Sequence, residues 1–577
     1  MVKHMKQPIV LGVWDGHDAG AALLQGDQVL FAVNEERLTR RKLEVGFPYR
    51  SIAACLKHTR LETSDIEDVA VSTSDPAKTL TRMCPGLKEN YYLLRRRKTD
   101  PGALDGLKKA FKYRFTEFSP NPLSRMISEF YLKRELRRAG FCHYRLHLVD
   151  HHRGHAEAAA RCSGFDECLV LTLDGVGDGL CGSLWTFQDD QLILLKELPA
   201  RLSAGIFFEY VTHLMNMREL EDEGKVMALA NYACPVPDAD NPLLRIFRSD
   251  GTGFVSDIRP AHMLREMKKI FWRYPSEQFA YMAQQALEKS VLKLMQTALL
   301  QTGMNQLAVA GGVFSNIKLN MQAAESPAVD QLYVFPHMGD GGLALGSAMH
   351  VNYQQHGVSH YPVSHLYLGP EYDVDTIRRC IQHRRLPFQA YDDIARKAAE
   401  LIVQGEILFW FQGRAELGPR ALGNRSILAR ADDAHLKDRL NLVLKKRVWY
   451  QPFCPSLLLE DASNLLHTEK QPAVCNPFMT SAFTVRAEHR STMAGVINID
   501  GTCRPQFVSE ENPRYRDLLL HIKDVSGYGV VLNTSFNIHG EPMVCSPDDA
   551  LETFMRTPVR YLVMENFLIT RNTPLPE

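Results

Sequence analysis

An internal repeat constrains this chain more than any other feature. Residues 8–37 read as three short strands, IVLGVW, AALLQ and VLFAVNEE, separated by the turn Asp15-Gly16-His17-Asp18 and by QGDQ. The same order returns as LVLTLDG (169–175), a GVGDG turn, GSLWTF (182–187), a QDDQ turn and LILLKEL (192–198). Two copies of strand, Asp-Gly turn, strand, turn, strand predict an internal duplication. Helical stretches follow each copy, so each half is expected to be a mixed α/β unit with nucleotide or phosphate chemistry at its turns.

With 577 residues the chain exceeds one ordinary core, and two domains are expected. The polar, Pro- and Gly-punctuated stretch at 353–376 places their boundary near 365, giving domains 1–365 and 366–577. Lys plus Arg and Asp plus Glu both total 67, so overall charge argues for neither a nucleic-acid partner nor a membrane. The twelve cysteines contain no CxxC pair, which speaks against a zinc ribbon and fits reduced thiols in a cytosol. The start, MVKHMKQ, leads into too short an apolar core for a signal peptide, and no apolar run approaches a membrane span, so a cytoplasmic location without an integral membrane segment is expected. One segment departs from this balance: residues 78–138 hold 16 Lys or Arg against 6 Asp or Glu, with Leu, Phe and Tyr at helical spacing. It reads as a basic helical insertion, either the solvated face of a capping subdomain or a surface for an anionic acceptor or a membrane.

Three groups of residues carry chemistry. In Asp150-His151-His152-Arg153-Gly154-His155 followed by an Ala-rich run, a helix would put His151 and His155 on one face, where two neutral imidazoles can grip one metal ion. The plainer alternative is a helix start capped by Asp150 with solvated histidines. Strand, glycine turn and helix start recur at LAVAGGVFSN (307–316), with Gly311, Gly312 and Asn316, and again around Asp340; free amides there suit a phosphate or nucleotide. The second domain carries cations beside glycines and strand ends, including Arg420, Lys445, Arg447 and Arg504, a pattern suited to a polyphosphate or equally to surface ion pairs.

These motifs, GHDAGAALL with NEERLTRRK, VDHHRGHAEAA, LTLDGVGDG, EGKVMALA, AGGVFSN, GDGGLALG, GRAELGPRALGNRSILA, QPFCPS, DGTCRPQ and LNTSFNIHGEP, taken in order, resemble the O-carbamoyltransferases of the NodU and CmcH type. The resemblance implies a duplicated N-terminal domain of the actin and hexokinase (ASKHA) type, followed by a YrdC-like α/β domain. It implies ATP, carbamoyl phosphate and a hydroxyl-bearing acceptor as partners, carbamoyl-adenylate formed in the C-terminal domain, and a homodimer as a compatible state. Position by position, His151, His155 and Asp340, with Asp174 as the fourth, match metal ligands for ferrous iron, beside magnesium accompanying ATP. His17 matches the general base. Arg420, Lys445, Arg504 and Ser535 match residues around carbamoyl phosphate and the adenylate, with Arg447 and Asn537 close by in the same motifs.

The chain departs from the family pattern at Gln451, where Arg is usual, and at Asn498, Ala228 and Gly20. Gln451 removes one cation from the expected anion site. A hydrogenase-maturation-type carbamoyltransferase acting on a protein thiol is the rival enzyme, disfavoured by the missing CxxC pairs and acylphosphatase-like module. A non-catalytic nucleotide-binding regulator is the rival outside enzymes.

Overall fold

The computed structural model describes residues 7–99, 115–469, 471 and 476–571. They divide into two units, Met1–Glu35 with Leu43–Val363, and Glu36–Lys42 with Ser364–Glu577. The second unit thus includes a short segment from the NEERLTRRK motif: Arg37 donates to the Gly418 carbonyl at 2.7 Å and Arg40 to that of Met543 at 2.7 Å.

In the first unit, β1 (Ile9–Trp14), β2 (Gly20–Gln25) and β3 (Gln28–Asn34) form an antiparallel meander. β4 (Asp68–Ser72) and β5 (Arg145–Val149) add in parallel, giving the order β3-β2-β1-β4-β5. A second sheet repeats this plan. β6 (Cys168–Gly177), β7 (Leu180–Gln188) and β8 (Gln191–Pro199) form the meander, and after a small ribbon, β9 (Arg248–Ser249) and β10 (Phe254–Val255), the parallel strands β11 (Gln306–Ala310) and β12 (Gln331–Val334) complete the order β8-β7-β6-β11-β12. β1 and most of β6 are buried, as their unbroken aliphatic runs require of strands covered on both faces.

Glycines set how closely the helices approach. A Cβ on Gly346, in helix Leu343–His356, would lie 1.9 Å from the Gly154 carbonyl oxygen of helix His151–Cys162, and one on Gly12 would lie 1.9 Å from that of Ala344. The two helices therefore cross with backbones touching, which sets the histidine helix against the turn that carries Asp340.

The second unit is built on an eight-stranded sheet. Its strands are β13 (Phe388–Ala390), β14 (Leu408–Phe411), β15 (Arg425–Arg430), β16 (Cys454–Leu458), β19 (Gln506–Val508), β20 (Val530–Ser535), β21 (Tyr561–Met564) and β22 (Phe567–Thr570). β17 (Phe483–Thr484) and β18 (Thr502–Cys503) pair separately, and the main order is β13-β22-β21-β14-β15-β20-β16-β19. β14 explains the strong apolar run in the sequence: Phe409 and Phe411 enter the core on one face, Leu408 and Trp410 that on the other.

The described part of the basic insertion forms helices Pro76–Met83, Pro85–Arg95 and Pro122–Arg138; residues 100–114 lie outside the described residues. Many of its cations have carboxylate partners. Arg82 grips Asp15 through two hydrogen bonds of 2.8 and 2.9 Å, Lys78 lies 2.9 Å from the same carboxylate, and Arg95 and Arg96 pair with Glu209, Glu219 and Glu221. These four cations pin the first two inserted helices to the first unit, and their charge is neutralised within it.

Candidate metal and transfer site, with an arginine cluster in the second unit

The first unit brings His151, His155, Asp174 and Asp340 together, with one ligand atom of each lying within 4.8 Å of the others. His151 Nε2 is 3.2 Å from Asp174 Oδ2 and 3.6 Å from Asp340 Oδ1; His155 Nε2 is 3.7 Å from each of these oxygens. Both imidazoles are 2 % exposed, so the histidines are not solvated. Asp150 stands at the helix N-cap position without capping through its side chain, and pairs with Arg125 at 2.7 Å instead. The amide of His151 donates to Asp178 at 2.6 Å, so an acid from the second Asp-Gly turn takes over the expected role of Asp150.

His151 and Asp174 are held from behind. A Cβ on Gly177 would fall 2.3 Å from the His151 ring, so this glycine lets the imidazole lie flat on β6. The Gly312 amide donates to Asp174 Oδ1 at 3.1 Å and orients that carboxylate. Ser203 ties the Asp174 carbonyl at 3.0 Å. His17 lies alongside, its Nδ1 3.4 Å from Asp340 Oδ2 and its ring 5.1 Å from that of Tyr92.

The electrostatics are those of a buried charged cluster. Burial pushes the His151 imidazolium down, but Asp340 and Asp174 outweigh it and raise its pKa to about 9. Burial would raise the Asp174 carboxyl, yet the imidazoles of His151, 3.2 Å away, and His155, 3.7 Å away, hold it well below the usual range. Burial dominates at His17 and lowers it. His155 Nε2 is buried and has no hydrogen-bond partner. A buried ring nitrogen without a partner, facing two carboxylates, matches the donor set of a divalent metal: two imidazoles and two carboxylates.

The other residues expected in this unit divide. Gly311 has a left-handed φ of 101°, and a Cβ there would meet the Leu173 carbonyl oxygen at 2.1 Å, so the turn requires glycine. Asn316 exchanges two hydrogen bonds with Gln284, of 2.9 and 3.0 Å, and caps helix Ile317–Ala324, so its amide is engaged within the fold.

In the second unit three arginines gather around Cys454. Arg504 donates to its sulfur from Nε at 3.1 Å and from a terminal nitrogen at 2.9 Å. Burial, then the Arg504 charge, press Arg420 down to about 9, against the opposing pull of Cys454. Burial likewise takes Arg447 to about 10. Lys445 is pushed far below the ordinary lysine range by burial and by Arg447 and Lys42. Its ammonium donates to the carbonyls of Ser535 and Asn537 and to Asn537 Oδ1 at 2.8 Å, while Ser535 Oγ donates to the same amide oxygen at 2.9 Å. Lys445, Ser535 and Asn537 thus form one polar knot at the end of β20. The concentration of cations favours an anion.

Other polar motif residues have structural roles. Arg425 is fully buried, donates to the carbonyls of Gln412 and Gly413 at 2.6 and 3.0 Å, and stacks on Phe411. Glu416 collects the amides of Leu422, Asn424 and Arg425. Gln451 keeps a buried side-chain oxygen without a partner, and Asn498 reaches Thr502 at 3.5 Å. Sequence reasoning passed over Asp178, Tyr92 and Cys454; the GVGDG turn and the QPFCPS motif were the available signals.

Family comparisons agree along the chain. The family model described as carbamoyltransferase N-terminus matches residues 9–349, and that described as carbamoyltransferase C-terminus matches residues 399–571. The chain is 32% identical over 579 residues to nodulation protein NolNO of Sinorhizobium fredii, covering 97% of this chain and 80% of that protein. It is 35% identical over 437 residues to nodulation protein NolO of Bradyrhizobium diazoefficiens, covering 73% and 79%. With the 3'-hydroxymethylcephem-O-carbamoyltransferase of Streptomyces clavuligerus it shares 30% identity over 385 residues, covering 64% and 70%.

Proposed function

The chain belongs to the carbamoyltransferase family, and from that premise we propose that this enzyme is an ATP-dependent O-carbamoyltransferase. In this reading the second, YrdC-like unit converts carbamoyl phosphate, ATP and water into carbamoyl-adenylate, phosphate and pyrophosphate. A hydroxyl of a small-molecule or saccharide acceptor then attacks the carbamoyl carbon in the first unit, the bond to the phosphate oxygen breaks, and AMP leaves. The cephem O-carbamoyltransferase among the relatives supports a hydroxyl as the acceptor group. The sheet order used twice in the first unit supports reading it as a duplicated ASKHA-type domain.

The observation that carries the proposal is His17, 3.4 Å from Asp340 and beside the cluster of His151, His155, Asp174 and Asp340. With Nδ1 turned to Asp340, Nε2 of His17 is the nitrogen left to take the acceptor proton. His151, His155, Asp174 and Asp340 would hold a divalent ion, ferrous iron by resemblance, whose chemistry is to polarise the oxygens of the mixed anhydride. In the second unit Arg420, Arg447 and Arg504 supply fixed positive charge for phosphoryl oxygens during adenylation, and Lys445 shapes the Ser535–Asn537 turn beside them.

Two measurements test this reading. A metabolite pool incubated with enzyme, ATP and isotopically labelled carbamoyl phosphate should yield one carbamoylated hydroxyl compound by mass spectrometry, along with pyrophosphate. Protein purified without oxygen should contain a divalent metal that is lost when His151 and His155 are both changed to Ala; an unchanged metal content would remove the assignment.

A further inference from the structure

Helix Pro122–Arg138 buries one face and leaves an unusual one outside. Ser124, Ser128, Leu132 and Leu136, four residues apart, turn inward, and the Ser128 hydroxyl lies 2.8 Å from that of Thr79 on helix Pro76–Met83. On the opposite face Leu123, Met126 and Phe130 follow one another at spacings of three and four residues and are 61%, 62% and 64% exposed. Phe118, just before the helix, is also well exposed. Exposed large apolar side chains are ordinary when scattered singly; three in line on one helix face are not.

The line continues into charge. Lys133, Arg134 and Arg137 carry on the same outward face beyond Phe130. The helix holds five cations, Arg125, Lys133, Arg134, Arg137 and Arg138, against two carboxylates, Glu129 and Glu135. Lys133 shares Glu129, while Arg134 and Arg138 share Glu135, so the helix keeps a positive excess after its own pairs are made. Arg125 is taken by Asp150.

An exposed stripe that runs from apolar to basic along one helix fits an interface with an apolar layer beneath a layer of negative charge, which is the surface of an anionic bilayer. Arg137 can pair with lipid phosphates, and the exposed pairs of Lys133 with Glu129 and Arg134 with Glu135 can exchange for them. Among the described residues no helix is long and apolar enough to cross a membrane, so the attachment concerns a surface. We propose that the outward face of helix Pro122–Arg138 docks on an anionic lipid bilayer, with Leu123, Met126 and Phe130 entering the acyl boundary and Lys133, Arg134 and Arg137 meeting the headgroups.

The test uses the full chain with vesicles of phosphatidylcholine alone and of phosphatidylcholine mixed with phosphatidylglycerol. Sedimentation should carry the protein down with the mixed vesicles and much less with the neutral ones. Lys133→Gln, Arg134→Gln and Arg137→Gln combined should weaken partitioning by about two orders of magnitude, and high salt should do the same to the natural protein. Leu123→Ser, Met126→Ser and Phe130→Ser combined should weaken it at least tenfold at unchanged salt dependence; Phe130→Ser alone keeps the test decisive should the triple variant not fold. A natural protein that stays in the supernatant with both vesicle types overturns the proposal, as do variants that bind like it. So does light scattering showing an oligomer that the serine variant dissolves, because the stripe would then be a protein interface.

Discussion

Replacing Gly346 by alanine should take the proposed metal site apart while leaving most of the fold in place. The added Cβ would lie 1.9 Å from the Gly154 carbonyl oxygen, whereas real Cβ atoms essentially never come within 3.0 Å of such an atom. Helices His151–Cys162 and Leu343–His356 must therefore separate or slide by about 1 Å, since both are rigid and the obstruction is backbone. Metal ligation tolerates only about 0.2 Å of error per bond. The shift falls between His151 and His155 on one helix and Asp340 in the turn just before the other, so metal affinity should drop about ten- to a hundredfold. The cost in stability is smaller: overpacking costs about 1–3 kcal/mol, and an alanine inside a helix recovers up to about 1 kcal/mol over glycine. Elemental analysis of protein purified without oxygen, read beside a thermal melt, separates the two effects. Gly224→Ala is the control, because nothing lies within 4 Å of its added Cβ, and it should keep the metal with unchanged or slightly raised stability. Natural metal content in folded Gly346→Ala protein would refute the argument that this glycine crossing sets the site.

Three further outcomes follow from particular residues. Arg504→Met should lower activity, because loss of a charged donor to phosphate should cost about ten- to a hundredfold in pyrophosphate release; a folded, fully active variant would contradict it. His17→Ala should leave carbamoyl-phosphate-dependent pyrophosphate release measurable and slow transfer by about a hundredfold to ten-thousandfold; loss of pyrophosphate release in a folded variant would mean that adenylation and transfer share one site. Burial, with Glu209 beside it, raises the Glu223 carboxyl to about 8, so the folded state holds this proton more tightly than the unfolded chain and loses stability as pH climbs from the ordinary carboxyl range through 8. Melting temperatures across that window should fall less for Glu223→Gln than for the natural protein, and parallel curves would exclude the effect.

Much of the architecture was written in local pattern. The two hairpin copies, the buried strand around Trp410 and the shared face of His151 and His155 all depend on burial alternating along a few residues, and periodicity carries that directly. Local pattern did not decide which groups meet. Asp174 and Asp340 reach the histidines only because the second sheet returns to β11 beside β6 and because Gly154 and Gly346 let two helices touch. The same limit explains the residues whose chemistry read differently in the fold. Lys78 and Arg82 looked like a surface charge field and are buried partners of Asp15; Asn316 looked available for a ligand, yet hydrogen-bonds to Gln284 and caps a helix within the fold. A polar side chain states in the sequence only that it needs a partner. Whether that partner is a ligand or the protein itself depends on segments far away in the chain, and tertiary structure alone settles it.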